Sequence, residues 1–210
     1  MYYCNQYLHA LGRRIVQATV ILCVTLLLPL PLKAEAASND VQTNQSPDFT
    51  RTTENYLIPD VVMTGKGGKK ISFLKALDDG RPVILNFIFV SCSSICPMLS
   101  HEFAMVQTKL GKNKQKVHLI SVSIDPENDT PAKLAEYGKK FKAGPDWDYY
   151  TGTLEASIAI QKAFHYFRGD KMNHSSAIFM RAAPGKPWVR LEGFASSDAV
   201  INEIQSLTKN

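Results

Sequence analysis

The hydrophobic residues of this chain fall into separate runs, and their spacing predicts alternating strands and helices. The run at 83–90 is apolar except for Asn86, and its β-branched and aromatic residues are typical of a central strand covered on both faces. A second such run covers 116–124. In chain order the predicted elements are strands 56–63 and 70–73, helix 74–77, strand 83–90, a helix with Pro97 in its first turn that continues through 98–110, strand 116–124, helix 131–141, strand 149–151, helix 153–164, strands 176–180 and 188–191, and helix 197–207.

This order of elements predicts an α/β fold. Two strand–helix units are followed by a hairpin and a C-terminal helix, which is the arrangement of a thioredoxin-like domain. Strands 56–63 and 70–73, joined by a glycine-containing turn at 65–68, are expected to add an N-terminal β-hairpin. We therefore expect residues 55–210 to form one thioredoxin-like domain, which is long enough to bury a full hydrophobic core.

Residues 1–36 have the composition of an export signal. Arg13 and Arg14 precede a mostly apolar stretch at 15–32, and Ala34-Glu-Ala36 fits a small-x-small cleavage site. An uncleaved membrane anchor is the alternative, because the apolar stretch approaches the length that spans a bilayer. Either way the folded domain is expected outside the cytoplasm. In a bacterium that means the periplasm, with the protein either free or anchored to the inner membrane.

Residues 37–54 are rich in Ser, Asn, Gln, Asp and Thr, so they are expected to form a flexible tether. The formal net charge of the chain is +5, and its Lys and Arg residues form no block that could follow a phosphate backbone. Nucleic-acid binding is therefore not expected. Any association with a membrane would run through the N-terminal segment alone.

Two of the four cysteines stand where the central strand meets a helix. Cys4 and Cys23 lie in the N-terminal segment, so a processed protein would keep only Cys92 and Cys96. Pro97 suits the first turn of the following helix, which puts both sulfurs at or just before a helix N-terminus. The partial positive charge there favours the thiolate, the form that attacks disulfides and binds soft metals.

The spacing of the two cysteines is compatible with more than one chemistry. Three residues separate Cys92 from Cys96, about one helical turn, so both side chains can face one site. A thioredoxin-type redox centre has two intervening residues. The wider spacing still permits a disulfide, and it leaves room for an ion between the sulfurs. An inert structural disulfide or two buried thiols is the alternative.

A metal ion would need a third donor, and His174 is the best placed of the five histidines. It stands in Met172-Asn-His-Ser-Ser176, before a predicted strand, in a loop that lies against the cysteine site of a thioredoxin-like fold. Two thiolates and an imidazole suit Cu(I) and are also usable by Cu(II). A zinc site would normally need a fourth ligand. The remaining histidines, His9, His101, His118 and His165, are better explained by the signal segment, the surface or the core.

Three ordered motifs resemble the Sco/SenC family of copper-binding proteins for cytochrome c oxidase assembly. They are Cys92-Ser-Ser-Ile-Cys-Pro97 after Leu85-Asn-Phe87, Asp125-Pro-Glu-Asn-Asp-Thr-Pro131 after a strand, and His174-Ser175 before a strand. The resemblance extends over most of residues 56–207. It implies a thioredoxin-like fold, an exported and often membrane-tethered protein, and copper held by the residues at Cys92, Cys96 and His174.

The same resemblance implies that Asp125 and Asp129 lie near the site and accept hydrogen bonds around it. Turn formation and helix capping explain these two residues at least equally well. The chain departs from the family in two respects. It has Asn173 where many members have Asp, and its loop at 164–174 is shorter than the insertion that many members carry.

The function implied by the resemblance is that of a copper metallochaperone. The reduced cysteines and neutral His174 would bind one copper ion and pass it to the dinuclear copper centre of cytochrome c oxidase subunit II or a similar copper-site protein. A copper donor protein would be a further partner.

The alternative is an enzyme, a dedicated thiol–disulfide oxidoreductase that reduces the cysteines of such a target through Cys92 and Cys96. The sequence leaves both interpretations open and favours the metallochaperone. A peroxidase is disfavoured, because Phe89-Val-Ser91 lacks the Pro and Thr that would precede a peroxidatic cysteine.

Overall fold

A computed structural model of the protein describes residues 48–112 and 116–209. The predicted export signal and residues 37–47 of the predicted tether lie outside these ranges. Within them, no helix combines the length and the apolar character needed to cross a lipid bilayer.

The described residues form one mixed sheet with helices. The elements are β1 Phe49–Glu54, β2 Val62–Gly65, β3 Lys70–Ser72, α1 Phe73–Leu77, β4 Val83–Ile88, α2 Ile95–Lys112, β5 His118–Ser123, α3 Pro131–Lys140, β6 Trp147–Thr151, α4 Leu154–Ala163, a 3-10 turn Lys171–Asn173, β7 Ala177–Arg181, β8 Trp188–Gly193 and α5 Ser197–Lys209. The strand order is β1-β8-β7-β4-β5-β6-β2-β3. β5 is parallel to β4 and to β6, and the other neighbours are antiparallel. This architecture confirms the predicted α/β class.

The central strands β4 and β5 are buried along their whole length. The polar residue in β4, Asn86, is fully buried, and its side-chain oxygen accepts a hydrogen bond of 2.7 Å from the hydroxyl of Ser121 in β5. Trp147 in β6 donates its indole N–H to the same hydroxyl over 3.0 Å. A short hydrogen-bonded chain therefore joins three neighbouring strands and offsets part of the cost of burying these polar groups.

The predicted turn at 65–68 joins β2 to β3, which pair in an antiparallel register of Val62 with Ser72. The first strand of this pair is shorter than the sequence suggests, because it begins at Val62 rather than at Tyr56. Tyr56 instead packs its ring against Phe164, with ring centroids 5.0 Å apart. The chain before β2 therefore contributes a side chain to the core without joining the ladder there.

Strand β1 is the main difference from the sequence-based expectation. The predicted tether reached Glu54, but Phe49–Glu54 pairs along its whole length with β8, from Phe49 opposite Gly193 to Glu54 opposite Trp188. Arg51 also makes a two-pronged ion pair with Glu203 in α5, at 2.8 and 2.9 Å. The four central side chains of β1 are exposed, so its polar composition follows from its place at the edge of the sheet.

Gly193 offers a direct test of the β1 pairing. Its φ is +116°, and a Cβ there would clash with the backbone oxygen of Asp48 and lie 2.8 Å from the Cα of Phe49. We expect Gly193→Ala to destabilise the protein and to reduce hydrogen-exchange protection of the β1 amides, because the strand must move away from β8.

Gly185→Ala is the matched control. Gly185 also has a positive φ, +76°, but a Cβ there meets no atom within 4 Å. Backbone strain should lower the free energy of unfolding of each variant by about 1 to 2 kcal/mol. The clash should lower that of Gly193→Ala by about 1 to 3 kcal/mol more. Equal losses, with β1 protection unchanged in both variants, would show that β1 is not held against β8 as described.

Candidate metal centre

Three soft or borderline donor atoms meet at the carboxyl end of β4. Cys92 lies in the loop after the strand, Cys96 lies in the first turn of α2, and His174 follows the 3-10 turn before β7. The Nε2 atom of His174 is 3.9 Å from the Cys92 sulfur and 3.6 Å from the Cys96 sulfur. All three donor atoms lie within 4.8 Å of one another. Among the described residues, this is the one group of three His, Cys, Asp or Glu side chains with such geometry.

The start of α2 brings the two cysteines together. The helix begins at Ile95, so Pro97 lies in its first turn as predicted, and Cys96 is already helical with its backbone N–H pointing out of the helix N-terminus. That N–H donates to the Cys92 sulfur over 3.4 Å. Both side chains are free thiols, with Cys92 9% exposed and Cys96 fully buried.

The two thiols differ in acidity. Burial acts to raise the pKa of Cys92, but hydrogen bonds from the backbone N–H groups of Cys96 and Ser94 outweigh it, so the pKa lies below its usual value. Burial raises the pKa of Cys96 far above its usual range, and the charges of Cys92 and Asp129 act in the same direction. Cys92 is therefore the more readily ionised thiol of the pair, and Cys96 keeps its proton until a metal ion or a strong base removes it.

The ring of His174 is held in one tautomer. Its Nδ1 atom is 2.7 Å from the carbonyl oxygen of Lys171, which can only accept, so Nδ1 carries the proton. The lone pair on Nε2 then faces the two sulfurs, as metal ligation requires. The ring also contacts Phe89 edge to face, with centroids 5.0 Å apart.

The chain after His174 is fixed to the core by hydrogen bonds. The Tyr166 hydroxyl donates to the carbonyl oxygen of Ser175 over 2.6 Å, and the Tyr166 ring stacks on Phe87 of β4 with centroids 4.4 Å apart. The Ser176 hydroxyl donates to the carbonyl oxygen of Gly193 over 2.6 Å. We call residues 164–176, between α4 and β7, the histidine loop. These contacts fix its C-terminal side relative to the central strand.

Asp129 supports the cysteine loop, residues 89–94 between β4 and α2. Its carboxylate accepts the backbone N–H of Val90 on both oxygens, each at 3.2 Å, and the hydroxyl of Ser123 at 2.7 Å. The side chain is 1% exposed, and burial raises the pKa of Asp129 above its usual value. The helix after this turn is capped by Thr130, whose hydroxyl accepts from the N–H of Lys133.

Asp125 supports the histidine loop. One carboxylate oxygen accepts from the Asn128 side chain at 2.9 Å, and the other is 2.6 Å from the ammonium group of Lys171. Both acidic residues therefore act on the segments that carry the metal-ligand candidates. In the described structure, neither accepts a hydrogen bond from the side chain of Cys92, Cys96 or His174. Nothing in the local sequence indicates Lys171, because it is 46 positions from Asp125 and stands in an ordinary polar loop.

The other histidines lie away from the cysteines or outside the described residues. His101 is exposed on α2, and His9 is not among the described residues. His118 in β5 has Asp79 and Asp148 beside its two ring nitrogens, each at 3.1 Å. His165 is exposed, with Nδ1 3.1 Å from Glu54.

The donor set fits a soft metal ion. An ion with bonds of about 2.3 Å to sulfur and about 2.0 Å to imidazole nitrogen can bridge a sulfur–nitrogen separation of up to about 4.3 Å. Both observed separations, 3.6 and 3.9 Å, lie within that limit. Two thiolates and one imidazole are the ligand types that bind copper well, whereas oxygen-seeking ions would find few suitable donors here.

Comparisons with known proteins identify related chains. The sequence model of the SCO1/SenC family matches residues 64–209. A SCO1 protein homolog of Bacillus subtilis (strain 168) is 28% identical over 163 residues, which cover 72% of this chain and 83% of that protein.

Solved structures agree with the fold. BsSco, described as a member of the Sco family of cytochrome c oxidase assembly proteins with a disulfide switch, is 27% identical with a TM-score of 0.62. The match covers 73% of this chain and 94% of that one. Yeast Sco1 with copper bound is 21% identical with a TM-score of 0.64, over 75% of this chain and 95% of that one, and its likeness shows the fold alone.

The difference between the thiols can be measured by alkylation. We expect the Cys96→Ser variant, which keeps Cys92, to react with iodoacetamide half-maximally at a lower pH than a free cysteine peptide, because the pKa of Cys92 is lowered. The Cys92→Ser variant, which keeps Cys96, should react slowly at every pH where the fold persists, since that thiol is buried and its pKa is raised. Equal pH profiles for the two variants would contradict this assignment.

Proposed function

The chain belongs to the SCO1/SenC family, and on that basis we propose that it is an exported copper metallochaperone for the copper centre of cytochrome c oxidase. The observation that carries the proposal is the meeting of Cys92, Cys96 and His174 within 4.8 Å. The two sulfurs and one imidazole support copper as the cargo, and the description of BsSco as a cytochrome c oxidase assembly protein supports the oxidase as the destination.

In the proposed function, the three side chains bind copper when the cysteines are reduced. Cys92 supplies a thiolate, and Cys96 must lose its proton as the ion binds, so uptake releases a proton. His174 completes the set with its unprotonated Nε2. Oxidation of the two cysteines to a disulfide would remove both thiolates and so prevent binding.

Transfer requires a partner that covers the opening of the site. Cys92 and His174 are each 9% exposed, so a recipient ligand can replace them only after close docking. Exposed apolar residues flank the site: Met98 is two residues after Cys96, Met172 is two residues before His174, and Phe194 lines a pocket with Met98. We call these three residues the apolar rim. They are 54%, 68% and 46% exposed, respectively. We propose that this rim meets subunit II of the oxidase, or a similar copper-site protein, while copper moves by ligand exchange.

The location follows from the N-terminal sequence. Residues 1–36 have the pattern of an export signal or membrane anchor, and we propose that the domain works in the periplasm. A copper donor protein on the same side of the membrane would load the site.

Copper binding is tested by anaerobic titration of the reduced protein, with bound copper counted after desalting. We expect one copper per chain. His174→Ala should weaken binding by more than about a hundredfold, because removing a ligand costs more than the ten- to hundredfold typical of an outer partner.

His101→Ala is the matched control, since His101 is an exposed histidine on the same helix as Cys96. It should leave the copper count and affinity unchanged. Failure of the unaltered protein to retain copper, or retention that does not depend on His174, would refute the proposed site.

A thiol–disulfide oxidoreductase is the second candidate function, and the unequal acidity of the two thiols favours it. The Cys92 thiolate would attack a partner's disulfide and release one partner sulfur as a thiolate. Cys96 would then lose its proton and attack the Cys92 sulfur, which releases the second partner thiol. The partner gains two electrons, and Cys92 and Cys96 become a disulfide that a separate dithiol reductant must reduce.

This candidate predicts a trapped intermediate. Cys96→Ser, incubated with the oxidised soluble domain of oxidase subunit II, should accumulate a mixed disulfide through Cys92, because the resolving thiol is missing. Cys92→Ser should accumulate much less, since Cys96 is buried. Non-reducing electrophoresis and mass spectrometry detect the adduct, and its absence from both variants would count against the reductase.

A further inference from the structure

Lys171 joins the histidine loop to residues 124–130 between β5 and α3, which we call the acidic turn. It contacts the acidic turn through its side chain and His174 through its backbone carbonyl. Its ammonium group is 2.6 Å from Asp125 Oδ2, while its carbonyl oxygen is 2.7 Å from His174 Nδ1. We propose that Lys171 is a positioning residue of the metal centre, whose ion pair with Asp125 holds the turn that directs His174 toward the two sulfurs. The role in copper binding rests on the proposed function, whereas the role in positioning the ring does not.

The Asp125 end of this ion pair is rigid. The Asp125 side chain is 6% exposed, and the Lys171 side chain is 33% exposed. The carboxylate is fixed by the Asn128 side chain at 2.9 Å, and the backbone N–H of Asp125 donates to the Ser123 hydroxyl at 3.0 Å. A charged hydrogen bond to a nearly buried, already constrained carboxylate is stronger and better defined than a surface ion pair.

The segment directly before His174, residues 167–173, contains no buried side chain. The 3-10 turn Lys171–Asn173 contains no buried residue, and Met172 in its middle is 68% exposed. The Asp170 side chain caps the turn by accepting from the N–H of Met172, but Asp170 is itself exposed. Within the described structure, the Lys171 side chain ties this turn to buried groups, because its ammonium group contacts Asp125 and the Phe89 ring.

The carbonyl oxygen of Lys171 sets the state of the histidine ring. It accepts from the backbone N–H of His174 at 3.2 Å and from Nδ1–H of the same residue at 2.7 Å. If the turn moves, this carbonyl moves with it, and the ring loses the partner that keeps the proton on Nδ1. The proton could then move to Nε2, where it would occupy the lone pair that the metal ion needs.

Phe89 gives Lys171 a second contact with the same site. The ammonium group lies 5.5 Å from the centroid of the Phe89 ring, and that ring meets His174 edge to face. Phe89 is 2% exposed. The cation and the imidazole are therefore arranged around one fixed aromatic ring, which limits how far the histidine loop can shift while the lysine stays in place.

The direct test reads the tautomer of His174 in the reduced, copper-free protein by nitrogen-15 NMR, at a pH where the imidazole is neutral. We expect the unaltered protein to show a protonated Nδ1 and an unprotonated Nε2. Lys171→Met should shift these signals toward a mixture of tautomers, and Asp125→Asn should do the same. Lys171→Arg should restore the original pattern, because a guanidinium can also bind the carboxylate.

Lys133→Met is the matched control. The Lys133 ammonium group donates to the backbone carbonyl of Asn128 at 2.9 Å, so it contacts the same acidic turn without contacting the histidine loop. This variant should leave the tautomer unchanged. It also shows whether losing one positive charge near the turn is itself enough to change the signals.

Copper affinity provides the second readout. Lys171→Met and Asp125→Asn should each raise the copper dissociation constant about ten- to a hundredfold, the usual effect of losing an outer partner of a ligating histidine. The double variant should bind no more weakly than either single variant, since both changes break one interaction. Alkylation of Cys92 should remain as fast as before.

The proposal is overturned if Lys171→Met and Asp125→Asn keep the original tautomer, or if Lys133→Met changes it as much as they do. A dissociation constant within about twofold of the original in both variants would overturn the role in copper binding. If the unaltered protein retains no copper, the proposed function fails, but the tautomer comparison still decides whether Lys171 positions the ring. If Lys171→Met fails to fold, Asp125→Asn and Lys171→Arg still decide the question.

Discussion

The parallel pairing of β4 with β5 is the constraint on which the rest of the site depends. Parallel neighbours end at the same edge of a sheet, so the loop that carries Cys92 and the turn that carries Asp129 leave the core side by side. The Asp129 carboxylate then joins them by accepting the N–H of Val90. Because both strands are fully buried, neither can slip in register without exposing its side chains, and the relative position of the two loops is correspondingly well defined.

Much of this arrangement could be predicted from the sequence. The apolar strands, the position of the cysteines after one of them and the position of His174 before another depend on local patterns, so the approach of the three donors could be expected. The exact residue at which α2 begins could not be predicted. Pro97 suggests a helix that begins beside it, but a proline is tolerated anywhere in the first turn, and the helix begins at Ile95. A start at Ile95 puts Cys96 in the first turn, with its N–H against the Cys92 sulfur.

Two other features gave no usable signal in the sequence. β1 is polar because its side chains face solvent, and its stability comes from backbone pairing with β8, which no local pattern shows. Lys171 meets Asp125 only because the ends of β5 and the loop before β7 lie at one edge of the sheet. Contacts between residues far apart in sequence depend on the completed topology, and a single polar residue at each end does not indicate its partner.

The first hydrogen bonds of β1 have a further consequence for how the protein can work when it is fixed to a surface. Phe194 of the apolar rim donates its backbone N–H to the carbonyl oxygen of Asp48 over 3.1 Å, so the chain enters the domain beside the opening of the metal centre. A surface linker attached directly at Asp48 would hold that opening close to the surface, whereas attachment at the opposite edge of the sheet would hold it farther away.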